Sequence, residues 1–142
     1  MIRVLVDINV VLDVMLDRQP HAEASFAVWE AIETHAAEGL LSAHAFTTIY
    51  YLMQRGVSAV TAERAIGTLL RIFGVAAMDQ GVIQDGWDWR LDDFEDAVTA
   101  SAAQRAGCSY IVTRDPKGFR GSPVPYLSPG AVLPLLYLRS SS

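Results

Sequence analysis

Apolar residues in this chain fall into short unbroken blocks, separated by longer stretches in which they recur every three or four positions. The first block, Ile2, Val4, Leu5 and Val6, reads as a strand buried on both faces, the pattern of a parallel sheet. Val10, Val11, Val14 and Met15 follow at helical spacing, and Pro20 punctuates before a second helix over 21–37. That helix places Ala22, Phe26, Trp29, Ile32 and Ala36 on its core stripe and Glu23, Glu30 and Glu33 outside, with Gly39 as its end. Leu40, Leu41 and Ser42 form a short strand. The next helix, 43–55, turns Ala45, Ile49, Leu52 and Met53 inward and stops at Gly56. Ser58 caps a fourth, whose stripe is Ile66, Leu69, Leu70 and Phe73.

Residues 75–78 read as a third strand, followed by a weak helix broken by Gly81 and Gly86. A stronger helix spans 93–106 and closes at Gly107. Residues 109–113 form another buried strand that ends in the Asp115-Pro116 turn. Residues 124–126 fit an edge strand, because Pro125 lacks a ladder donor, and Pro129 starts a last helix through Tyr137. This alternation predicts one α/β domain over residues 1–142. Its architecture is a three-layer α/β/α sandwich around a small, mainly parallel sheet of four to five strands.

Composition sharpens this picture. With 51% hydrophobic and 19% charged residues the chain is compact rather than disordered. The net charge of −5 is local: seven acids lie between Asp79 and Asp96 against one base, Arg90, and the rest is near neutral. Cys108 is the only cysteine, which excludes an intrachain disulfide and a cysteine-based metal site and reads as a small core residue. The N-terminus lacks the basic lead-in of a signal peptide, and residues 131–138 are too short an apolar run to cross a bilayer. The expected location is the cytoplasm, with no membrane partner.

Three places carry chemistry. Asp7 ends the first strand at its carboxyl edge, where open α/β sheets bind ligands; its bland role is to cap the following helix. Asp93 caps a helix with Asp96 three residues on, and Phe94 and Ala97 are expected to face the core. Capping does not require four carboxylates within residues 92–96. Like charges about 4 Å apart repel by roughly 4 kcal/mol at a surface-like dielectric, and a bound cation relieves that. Asp115 leaves the end of a second buried strand, beside Arg114, Lys117 and Arg120, three bases that suit a polyanion. Carboxylates without His or Cys favour Mg²⁺ or Mn²⁺, which can activate water and stabilise the leaving oxygen of a phosphodiester. His21, His35 and His44 lack ligand-like spacing, and Trp87 and Trp89 read as core or interface residues.

Together these stretches resemble the PIN-domain family, which includes the toxins of bacterial type II toxin–antitoxin pairs. The likeness runs from Val4–Asp13, through the helix start Asp93–Ala97 and the run Ile111–Asp115, to Leu127–Pro129. The resemblance implies a ribonuclease dependent on Mg²⁺ or Mn²⁺, with RNA as substrate. Asp7, Asp96 and Asp115 would match the family's first, third and fourth acids, with Asn9 and Thr113 as polar support and Asp93 as an additional ligand. One departure is Thr48, which stands where the family carries a glutamate and brings no charge. Metal affinity should therefore be weaker unless Asp93 substitutes. The alternative is a PIN fold that binds RNA or protein without turnover. By analogy, an antitoxin partner and a homodimer are expected, the latter through Tyr50-Tyr51-Leu52 or the last helix. A phospho-accepting receiver domain fits poorly. Ile8 stands where a paired acid is needed, and the only lysine, Lys117, lies in a loop.

Overall fold

The computed structural model describes residues 1–138. Five strands, β1 (Arg3–Val6), β2 (Glu38–Ser42), β3 (Gly74–Ala76), β4 (Tyr110–Val112) and β5 (Tyr126–Leu127), form one sheet in the order β3-β2-β1-β4-β5. Every pairing is parallel, and β1 is central, with Leu5 opposite Leu40 on one side and Ile111 on the other. Such strands need covering on both faces. Among the described residues seven α-helices supply it: α1 (Ile8–Met15), α2 (Ala22–Glu33), α3 (Ala43–Gly56), α4 (Ala59–Ile72), α5 (Gln80–Asp88), α6 (Phe94–Arg105) and α7 (Pro129–Leu136). Alternate strand residues divide between two cores. Val4 and Val6 pack with residues of α1 to α4 and α7, while Leu5 and Ile111 pack with Val82 of α5 and the small residues of α6. The result is the expected three-layer α/β/α sandwich. No described helix is long and apolar enough to cross a membrane.

Several local expectations are corrected. Helix α2 stops at Glu33, where Thr34 turns its hydroxyl to Glu30 O (2.7 Å) and His35 takes a positive φ of 65°. Gly39 is therefore no helix end but lies inside β2, where a Cβ would strike Ile32. The buried stripe of α2 runs through Val28, Trp29 and Ile32, and Phe26 is exposed. Leu52 and Leu70 also face outward, so the α3–α4 pair buries smaller residues, Ala45, Ala62 and Ala65, around Ile49, Met53 and Leu69. Gly56 belongs to α3 rather than following it. Helix α5 is continuous through Gly81 and Gly86. Asp79 caps it, and Gly86 meets α6 so closely that a Cβ would sit 2.9 Å from Val98 Cα. Asp115-Pro116 opens a 3-10 turn, Pro116–Phe119, instead of a simple reversal.

Candidate active site

Because Val6 is in register with Val112, β1 and β4 deliver Asp7 and Thr113 side by side at the carboxyl edge of the sheet. The capping role foreseen for Asp7 is present on one of its oxygens. Oδ1 accepts from Ile8 N (2.9 Å) at the start of α1, and Oδ2 accepts from the Thr113 hydroxyl (2.8 Å). The Thr113 hydroxyl oxygen in turn accepts from Asp115 N (3.0 Å), which ties the third acid to the first. From the opposite layer comes the start of α6, where Asp93 accepts from Asp96 N (2.9 Å) as a helix cap.

The acids sense one another. Burial pushes Asp96 up to about 7, helped by the negative charges of Asp93, Asp7, Glu95 and Asp115. Asp7 is raised as well, first by burial; its bonds from Thr113 and Ile8 oppose the rise, and Glu95 and Asp115 add to it. Carboxylates from β1, the β4 edge and α6 thus share one electrostatic neighbourhood. Glu95 belongs to that set, although the sequence offered only its membership of an acidic run. Gly118 closes the site from the 3-10 turn: a Cβ there would fall on the Asp96 carboxylate and against Asp93.

The donor chemistry, carboxylate oxygens that repel in the absence of a counter-charge, fits a hard divalent cation. Among the described residues, however, no three acids stand close enough to enclose an ion as they are placed. Asp96 turns its Oδ2 onto Gly118. Asp93 and Asp115 are exposed, so both side chains face solvent at the mouth of the site.

Other expected site residues are distributed unevenly. Asn9 and Thr48 are half-buried on α1 and α3. Lys117 and Arg120 are exposed on and just after the 3-10 turn. Arg114 has an internal partner: its guanidinium grips the fully buried carboxylate of Asp13. It is therefore not the free surface base its position in the sequence had promised. Phe94, expected in the core, is half exposed beside Trp87, which is also exposed; Trp89 alone of that pair joins the core. His44 enters unforeseen. Its Nδ1 lies 3.0 Å from Ser42 Oγ, and its Nε2 is 3.6 Å from Glu95 Oε1.

A parallel sheet whose carboxyl edge gathers acids from three separate elements defines an α/β domain with an acidic cluster at one edge of its sheet. The sequence matches the family model for the PIN domain over residues 3–117, and the chain belongs to that family. No curated protein matches it significantly by sequence. Among solved structures it is similar to VapBC2 from Rickettsia felis bound to a promoter DNA fragment. That match has TM-score 0.70 and 12% identity and covers 89% of this chain and 98% of the other. It is also similar to VapC20 of Mycobacterium tuberculosis, described as a sarcin–ricin loop cleaving toxin (TM-score 0.68, 15% identity, 82% and 93% covered). A third is a toxin–antitoxin complex from Klebsiella pneumoniae (TM-score 0.65, 18% identity, 89% and 97% covered).

Proposed function

We propose that the protein is a cytoplasmic endoribonuclease dependent on Mg²⁺ or Mn²⁺, and the toxin of a toxin–antitoxin pair. The observation that carries this reading is geometric: Asp7 and Asp115 are joined through Thr113 at the carboxyl edge of the sheet, with Asp96 close enough at the start of α6 for their charges to raise it. Asp7, Asp96 and Asp115 would hold the metal, with Asp93 beside them. When bound, the ion supplies an activated water and charge stabilisation for the leaving oxygen. The chain's own residues prepare the rest. Thr113 fixes the orientation of Asp7 and favours its ionised form. Asp96 gives up its proton near neutrality, so cation binding and proton release are linked there. Lys117 and Arg120 draw the RNA backbone toward the edge, while Arg114 shapes the loop between Thr113 and Asp115. The antitoxin assignment is supported by solved neighbours that are toxin–antitoxin complexes. A homodimer through the exposed Tyr51 and Leu52 belongs to the same reading.

The test is Asp96→Asn. Mn²⁺-dependent RNA cleavage should disappear while the chain stays folded; equal cleavage by the variant would retire the assignment. A second reading, an RNA- or protein-binding module with little turnover, draws on uncharged Thr48 and on the open spacing of the acids. Thr48→Glu separates the two. A large gain in cleavage means the native site is short of a carboxylate, and no gain means another group fills the role.

A further inference from the structure

Beside the acids, an open groove of about 230 Å³ runs between α5, α6 and the start of α3, lined by His44, Met78, Ile83, Phe94, Glu95 and Val98. We infer that this groove is a nucleobase subsite. In it, a base adjoining the scissile phosphodiester stacks on Phe94 and meets His44 and Glu95 with its polar edge. The inference rests on the ribonuclease reading above and gives that site a means of gripping its RNA.

Four observations converge on a flat, neutral, aromatic ligand with polar atoms on its rim. Phe94 is half exposed, and an edge-to-face contact with Trp87 (centroids 6.2 Å apart, 77°) fixes the attitude of its ring. Single-stranded RNA is recognised largely by stacking unpaired bases on such rings and bonding their edges. Met78, Ile83 and Val98 give the groove apolar walls. At its polar end, His44 Nε2 is a buried atom with no hydrogen-bond partner, and Glu95 Oε1, 3.6 Å away, offers an acceptor. A modest turn of the imidazole toward the groove lets a base edge bond that nitrogen, whereas an aliphatic side chain gives it no partner. Charge agrees: Glu95 disfavours a phosphate inside the groove. Trp87, the partner of Phe94, carries Arg90 stacked 4.2 Å from its ring centroid, a cation near the proposed subsite.

The groove also adjoins the acids. Glu95, which lines it, is close enough to Asp96 and Asp7 for its charge to act on both, so a base held there has its phosphate near the carboxylates.

The experiment titrates the whole protein, with Ca²⁺ in place of Mg²⁺, against single-stranded RNA oligonucleotides carrying 2-aminopurine at one position each. Stacking quenches this base. Quenching is expected at one position in the native protein, with affinity reduced about tenfold or more in Phe94→Ala and His44→Ala. Phe94→Tyr should keep it, and Phe94→Leu, which retains an apolar contact with Trp87, should lose it. Quenching that is absent at every position, or unchanged in Phe94→Ala, overturns the subsite. So does RNA binding that is unaffected while binding of the cognate antitoxin is lost, which would assign the groove to a protein. Mn²⁺-dependent cleavage read on the same oligonucleotides keeps the two claims apart. Intact quenching without any cleavage by the native protein overturns the nuclease and leaves the subsite standing.

Discussion

Asp13 and Arg114, 101 positions apart, meet as a two-pronged pair: Arg114 Nε lies 2.7 Å from Asp13 Oδ2 and Nη2 lies 3.1 Å from Oδ1. Asp13 is fully buried, and Ser25 Oγ adds a third contact at 3.2 Å. Because Arg114 sits between Thr113 and Asp115, the pair anchors the loop that carries both to the interior of α1. Removing one partner of such a buried pair leaves the other charge uncompensated. Arg114→Ala should therefore lower unfolding free energy by on the order of 3 kcal/mol, read by urea denaturation. Arg114→Lys should recover only part of it, since an ammonium cannot reproduce the fork. A loss below half a kilocalorie, roughly the scatter of surface substitutions, would show that the clamp does not hold the loop.

The raised proton affinity of Asp96 makes stability depend on pH in a definite direction. Folding lifts this carboxyl from an ordinary 3.8 to about 7, so between those values the folded state binds more protons than the unfolded one. Stability must fall as pH rises through that window. The shift of Asp7 acts in the same sense. In metal-free buffer, Asp96→Asn should melt higher than the native protein at pH 8 and about equally at pH 3.5. Mn²⁺ should flatten the native profile above neutrality. Identical pH profiles for the two proteins would mean that neither burial nor the neighbouring carboxylates raise the proton affinity of Asp96.

Gly118→Ala puts a methyl group onto the Asp96 carboxylate. The acid is the terminal part of a side chain and can swing away, so the cost to stability should stay near the low end of overpacking, about 1 kcal/mol. Cleavage should suffer far more, by at least tenfold, because the displaced group is a proposed ligand. Kinetics and thermal melts on the same preparation check this, and loss of fold without displacement of the acid would contradict it.

Thr113→Val deletes the hydroxyl that serves both Asp7 and the Asp115 amide. The expected loss is about 1–3 kcal/mol for unsatisfied partners at a buried position. Thr113→Ser should restore most of it together with Mn²⁺ affinity measured by calorimetry. Equal affinities in the valine and serine variants would remove Thr113 from any role in tuning the metal site.

The parallel sheet and most helices were legible because blocks such as Val4–Val6 and Ile111–Val112 need burial on two faces, and only alternating helices provide it. The places of Asp7, Asp93 and Asp96, at a strand end and a helix start, were legible for a local reason. What could not be read was which way a side chain turns when two helices compete for it. Phe94 and Leu52 satisfy a helical stripe yet face outward, because α6 buries mostly small residues and α3 buries Ala45, Ile49 and Met53 instead. Arg114 looked like a surface base because its partner, Asp13, is buried 101 positions earlier on α1. His44 and Glu95 are a contact between layers, and nothing in the spacing of residues 44 and 95 announces it.

The central position of β1 has a consequence for how the chain comes into being. Its neighbours in the sheet are β2 and β4, and β4 is translated only after more than a hundred residues have emerged. A growing chain that has not reached Thr113 leaves Asp7 without the hydroxyl that orients it, and one short of residue 115 lacks an acid altogether. The acid set is therefore assembled last, by a strand that joins the sheet beside the first one made.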